Sequence, residues 1–131
     1  MKNVWMLFVL IVIGANAQQG ANPDGAVRLD AKTFLERSAK EPNAVILDVR
    51  TPEEVSAGVI PGARVLDFNA SDFATRLGKL DKGKTYFVYC KAGGRSSRTV
   101  ELMKDSGFKH VHELDGGYTA WTKAGYPTKK P

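Results

Sequence analysis

The chain is poor in the side chains that most metal, redox and hydrolytic chemistries need. Its 131 residues hold one cysteine, Cys90, and two histidines, His110 and His112. One cysteine excludes both an intramolecular disulfide framework and a Cys-x-x-Cys dithiol centre. His110-x-His112 would need at least one further ligand to hold a metal; on a strand the two side chains would share a face, and edge or surface histidines are the plainer account, so no metal or other cofactor is expected. A Cys-His hydrolytic dyad has no supporting motif. Also missing is a membrane-length apolar run: Val4 to Ile13 spans ten residues, against about 20 for a transmembrane helix. The formal net charge of +5 comes from scattered basic residues apart from a Lys129-Lys130 tail. With no arginine-rich or aromatic-interleaved stripe, nucleic acid is not an expected partner; small anionic substrates fit better, although a solvated surface accounts for most of the lysines.

What is present begins with an address. Met1-Lys2-Asn3 carries a positive charge, the apolar run follows, and Ala15-Asn16-Ala17 has the small-x-small form of a signal-peptidase site. Residues 1–17 are therefore expected to be a signal peptide cleaved after Ala17, with the mature protein periplasmic or secreted and without stable membrane insertion. Removing 17 residues from 131 leaves 114, enough for one domain and too few for two. Residues 18–25, polar and rich in Gly, Asn and Pro, read as a flexible leader to a domain over 26–131.

Within that domain strands alternate with helices. Val27 and Leu29 read as a short strand, Asp30 as the cap of a helix over Ala31 to Ala39, and Ala44 to Val49 as a strand buried on both faces. Thr51-Pro52-Glu53-Glu54 combines a capping hydroxyl, a first-turn proline and acids at the positive end of a short helix. Further strands are expected over Ala63 to Asp67, Thr85 to Tyr89 and Phe108 to Leu114. Further helices are expected from a Ser71 or Asp72 cap to Leu77, over Ser96 to Asp105 with Ser96 as cap, and over Tyr118 to Ala124. This alternation predicts an α/β fold, a parallel sheet with helices on both faces whose ligands bind beyond the carboxyl ends of the strands.

Cys90 lies at such an end, between the strand Thr85 to Tyr89 and the run Lys91-Ala92-Gly93-Gly94-Arg95-Ser96. An ordinary cysteine, with a pKa of about 8.5, is only about 3% thiolate at pH 7, and the thiolate is the nucleophile. Lys91, Arg95, the loop amides and the positive end of the following helix are placed to favour the charged form and to hold an anion beside it. The glycines let the backbone curl around the sulfur.

Four blocks carry a family resemblance in order. They are Ile46-Leu47-Asp48-Val49-Arg50-Thr51-Pro52-Glu53-Glu54; Gly58-Val59-Ile60-Pro61-Gly62-Ala63; Tyr89-Cys90-Lys91-Ala92-Gly93-Gly94-Arg95-Ser96; and Leu114-Asp115-Gly116-Gly117-Tyr118 with Trp121 and Gly125-Tyr126-Pro127. From Val27 to Pro127 the chain resembles the rhodanese-like sulfurtransferases. The resemblance implies a sheet of about five parallel strands and an active-site loop opening at Cys90. Sulfur-handling members look like Cys-x4-Arg, and related phosphatases and arsenate reductases like Cys-x5-Arg; four residues separate Cys90 from Arg95 here. By resemblance, Cys90 takes the outer sulfur of thiosulfate as a persulfide and passes it to cyanide, a small thiol or a protein acceptor. The amides of Lys91, Ala92, Gly93, Gly94 and Arg95 would stabilise the carried sulfur, and the side chains of Lys91 and Arg95 would hold the sulfonate. The alternatives are a binding module in which Cys90 does little, which the intact loop disfavours, and a thiol-dependent reductase or phosphatase, the latter disfavoured by loop length.

Other conspicuous residues have plainer accounts. Asp48 and Arg50 are read as an ion pair supporting the pocket mouth, Glu53 and Glu54 as helix-start acids, and Tyr118 and Trp121 as the packing face of a helix. Ser96 is read as a helix cap, its hydroxyl also placed to face the sulfur. Val59 stands where many members carry histidine, which bears on any polar contact made there.

Overall fold

In the computed structural model residues 27–131 are described; the expected signal peptide, the leader and Ala26 lie outside the described residues. The elements run β1 (Val27–Leu29), α1 (Ala31–Lys40), β2 (Ala44–Asp48), α2 (Pro52–Ser56), β3 (Arg64–Val65), α3 (Phe73–Gly78), β4 (Thr85–Tyr89), α4 (Gly94–Asp105), β5 (Val111–Leu114) and α5 (Gly117–Lys123). The five strands form one parallel sheet in the order β1-β5-β4-β2-β3, as the alternating sequence pattern predicts.

Central strand β4 is buried at every position, and its side chains alternate between two cores with the strand period of two. Tyr86, Val88 and Cys90 pack with Phe73, Leu77, Val100 and Met103 of α3 and α4. Phe87 and Tyr89 face Phe34 of α1 and Trp121 of α5. Cys90 therefore faces α4 while Tyr89 anchors the opposite layer.

Local chemistry sets the helix ends. Asp30 caps α1 by accepting the Thr33 N–H at 2.8 Å. Thr51 and Glu54 form a reciprocal capping box around Pro52 at the start of α2. Two expected caps are corrected. Asp72 occupies the cap position of α3 without a side-chain hydrogen bond. Ser96 is no cap: α4 starts two residues before it, at Gly94, with Gly93 as cap, because the loop has already turned at Gly93, whose φ is +130°.

Strand β2 stops one residue short of the expected Val49, and two other expected strands are shorter still than the pattern predicts. The edge strand β3 pairs only with β2, and Asp67 closes the next turn by accepting the Asn69 N–H at 2.9 Å. The strand expected from Phe108 begins at Val111, because Phe108 is used to end α4. The Gly107 N–H donates to the Lys104 carbonyl and the Phe108 N–H to the Met103 carbonyl, both at 3.0 Å, a Schellman stop around Gly107 at φ +89°. His110 thus precedes β5 and is exposed, while His112 is within it and buried; the two histidines do not share a strand. Expected helix α5 begins one residue early, at Gly117.

Phe34 is fully buried, edge-on to Phe87 at 5.5 Å and to Trp121 at 6.1 Å. Phe34→Ala is expected to destabilise the domain by about 3–5 kcal/mol, read from urea unfolding; a loss below about 1 kcal/mol would show that this layer does not hold the fold.

Candidate active site

The loop after β4 is shaped by α5. The first-turn amides of α5 have no intrahelical acceptor, and two of them are used on the loop: Tyr118 N–H donates to the Cys90 carbonyl at 2.8 Å and Thr119 N–H to the Lys91 carbonyl at 3.0 Å. This approach requires glycine at the helix start. A Cβ on Gly117 would lie 2.5 Å from both carbonyl oxygens. With those carbonyls held by α5, the chain swings through Gly93 into α4.

Inside the turn, Cys90 is 1% exposed. Its Sγ accepts the Gly93 N–H at 3.1 Å and lies 3.3 Å from Ser96 Oγ. Gly94, Arg95 and Ser96 are the first three residues of α4, so their amides lack intrahelical acceptors. One thiol, one donating amide and the start of a 12-residue helix make a place where an anionic sulfur can be held.

The two cations expected at the loop part company. Lys91 is exposed and has no ion-pair partner among the described residues. Arg95 is held in a fork by Glu54, Nη1 to Oε1 at 2.6 Å and Nη2 to Oε2 at 2.9 Å. Glu54, read from sequence as a helix-start acid, thus also ties α2 to the loop. The hydrogen bonds from Arg95, aided by Thr51, hold its carboxyl at about 2 against a desolvation that opposes them.

On the other face of β4, Asp48 and Arg50 form the buried ion pair expected of them, with additional partners. Asp48 is fully buried and accepts the Arg50 backbone N–H, Nε and Nη2, the last at 2.7 Å. Tyr89 also donates to it, and the same phenol oxygen accepts the Ile60 N–H at 3.1 Å. Burial, reinforced by the Asp48 charge, pushes the Tyr89 phenol well above its usual range. Arg50 Nη2 reaches the Gly58 carbonyl at 2.7 Å, and its guanidinium lies 4.0 Å from the Tyr118 ring centroid. Tyr118 thus covers Arg50 and also packs on the sheet, stacked on Tyr89 at 6.1 Å, and Trp121 packs in the same layer, both as expected. Val59 is buried and exchanges backbone hydrogen bonds of 2.8 Å with Lys129.

The histidines stand apart from this constellation. His112 rests on the Phe87 ring at 5.0 Å, and burial, with Arg37 beside it, lowers its pKa to about 4. No group of three or more metal-ligating side chains occurs among the described residues.

The Rhodanese-like domain family model matches residues 30–124. The chain belongs to the rhodanese-like domain family. A sulfurtransferase of Allochromatium vinosum is 29% identical over 103 residues, which cover 79% of this chain and 94% of that protein. The thiosulfate sulfurtransferase GlpE of Pseudomonas putida is 34% identical over 78% of this chain and 89% of its own length. The crystal structure of a rhodanese-related protein from Thermoplasma volcanium has a TM-score of 0.71 and 27% identity, over 79% of this chain and 98% of that one. Membership makes rhodanese-type sulfur transfer, from a sulfur donor to a thiol acceptor, the class of chemistry of this domain.

Sequence reasoning about this rhodanese-like domain missed three members of the site. Tyr89 read simply as strand, although its place beside Cys90 put it at a strand end. The Glu54–Arg95 pair joins positions 41 apart and had no local signal. Glu113 did have one: strand alternation puts this charge on the same inward face as Val111.

The Glu54–Arg95 pair also sets a pH dependence. A carboxyl lowered from 4.5 to about 2 on folding contributes stability that is present above its unfolded value and lost as pH falls through the folded one. Glu54→Gln is expected to lower Tm at pH 7, with the gap from wild type narrowing between about pH 4.5 and 2. A gap that stays constant across that window would remove the pair from the account of stability.

Proposed function

We propose that this domain transfers the sulfane sulfur of thiosulfate, or of a related persulfide donor, through a Cys90 persulfide. The observation that carries the reading is the sulfur itself: a buried thiol accepting the Gly93 N–H at 3.1 Å, at the head of a four-residue loop leading to Arg95. The Cys90 thiolate attacks the outer sulfur of thiosulfate; a new S–S bond forms, the bond to the sulfonate sulfur breaks, and sulfite leaves with its electron pair. Cyanide or a thiolate, free or on a protein, then attacks the terminal sulfur and returns Cys90 as thiolate. The amides from Lys91 to Arg95 are the donors for the carried anion, and Ser96 lies against the attacking sulfur.

Lys91 is the residue we assign to the sulfonate, since its ammonium is exposed and has no ion-pair partner among the described residues. Arg95 is given a different part from the one its spacing suggests: with its guanidinium forked on Glu54, it holds the loop against α2. Asp48 and Arg50 support the strand ends beneath the site. The signal-peptide pattern of residues 1–17 supports placing this activity in the periplasm or outside the cell.

Purified protein incubated with thiosulfate should gain a single-sulfur adduct by intact mass and form thiocyanate when cyanide is added. Cys90→Ser should abolish both, and retention of full activity in that variant would end the reading. Lys91→Ala should raise KM for thiosulfate about tenfold, the loss of roughly 1.4 kcal/mol of binding, with kcat nearly kept. Equal turnover at low thiosulfate would take the sulfonate away from Lys91.

A further inference from the structure

The transfer scheme leaves one buried charge unused. Glu113, on β5 opposite Val88 of β4, is 2% exposed and faces α4 on the Cys90 side of the sheet. Its Oε1 accepts two hydroxyls, Ser96 at 2.9 Å and Ser97 at 2.7 Å. Its Oε2 faces Arg28 of β1 at 3.6 Å, and that side chain is 45% exposed. Asp115 lines the same small polar cleft. This buried carboxylate has only a long ion pair, to a partner that is half exposed, so the two hydroxyl hydrogen bonds are its main support.

Ser96 is where this matters for the sulfur. A hydroxyl has one hydrogen to donate, and Ser96 Oγ has three acceptors in reach: Glu113 Oε1 at 2.9 Å, the Gly93 carbonyl at 3.2 Å and Cys90 Sγ at 3.3 Å. The shortest contact is also the charge-assisted one and takes the hydrogen. A lone pair of Ser96 then faces the sulfur. It can accept an S–H and has nothing to donate to a thiolate.

We propose that Glu113 is a positioning residue for the sulfur chemistry: by turning the Ser96 hydroxyl toward itself it holds Cys90 in the thiol form between turnovers. The inference rests on Cys90 being the nucleophile. Arg95, tied to Glu54, acts on Cys90 electrostatically from α4, exposed Lys91 adjoins it, and the loop amides favour its anion; Glu113 is the counterweight. When an anionic sulfur is formed, Ser96 must release Glu113 before it can donate to that sulfur.

The test is the pH profile of Cys90 alkylation by iodoacetamide in the full chain, which needs no sulfur transfer. Glu113→Gln removes the charge and offers Ser96 an amide donor, freeing the hydroxyl hydrogen for sulfur. The midpoint of the profile should fall by about one pH unit. That gives about tenfold more thiolate below the midpoint and, because nucleophilicity falls with basicity, about threefold faster alkylation there. A folded variant whose midpoint stays or rises overturns the proposal. If that variant does not fold, Ser96→Ala decides by sign. Loss of an acceptor for the S–H moves the midpoint down, whereas a midpoint that stays or rises means that Ser96 serves the thiolate and the proposal fails. Should the midpoint move as expected while thiosulfate leaves no adduct, the donor assignment fails and the role of Glu113 stands.

Discussion

A carboxylate with no access to water organises this domain. Asp48 sits fully buried at the carboxyl end of β2, and leaving such a charge without its partner costs about 3–5 kcal/mol. Its partners come from separate places: the backbone and guanidinium of Arg50 just after the strand, and the phenol of Tyr89 at the end of β4. Each partner carries something else with it. Arg50 holds the Gly58 carbonyl and lies under Tyr118; Tyr89 holds the Ile60 amide. Satisfying one charge thus gathers β2, β4, α5 and the Gly58–Ile60 segment at the strand ends. The residue after Tyr89 is Cys90.

From there the polarity of the active-site loop follows. Two carbonyls on its outer side are held by amides of α5, the Gly93 amide is turned to the sulfur, and α4 begins with amides that its own turns do not use. Holding the loop from both sides lets a short, glycine-containing segment keep a charged shape. Glycine is required at Gly117 by the 2.5 Å approach of the two loop carbonyls and at Gly93 by its φ of +130°.

Charge is divided around the sulfur with the same economy. Glu54 pairs with Arg95 and draws α2 to the loop, while Lys91 is exposed. Glu113 stands on the opposite side, behind Ser96. One amide donor, Gly93 N–H, meets the sulfur on the loop side, and a carboxylate lies two hydrogen bonds away on the sheet side. This division sets the Gly93 amide, facing the sulfur from the loop, against a buried carboxylate behind Ser96.

Much of this was legible before any coordinates, and the legible part has a common cause. Apolar strands, the Thr51-Pro52-Glu53-Glu54 helix start, the Asp30 cap and the loop from Cys90 to Arg95 are signals written over a few consecutive residues, where backbone sterics and local hydrogen bonds act. The α/β class and the position of Cys90 at a strand end followed from them. The Asp48–Arg50 pair was also within reach, being two residues apart. Ser96 was misread as a cap because a capping serine and a serine one turn inside a helix look alike until the φ of Gly93 is known. The strand expected from Phe108 failed similarly, since a Schellman stop takes residues that alternate like a strand.

What the sequence by itself determined is the order of strands and helices, the single thiol at the end of β4 and the four-residue spacing to Arg95. Only the tertiary structure decided the partners of the charges. Arg95 could be free for substrate or bound to Glu54, Tyr118 could pack on the sheet alone or cover Arg50 as well, and Glu113 could be solvated or set behind the nucleophile. Each alternative satisfies the local rules equally. The choice rests on which distant group meets a buried charge once water has been excluded, because desolvation makes a missing partner far more costly inside the fold than at its surface.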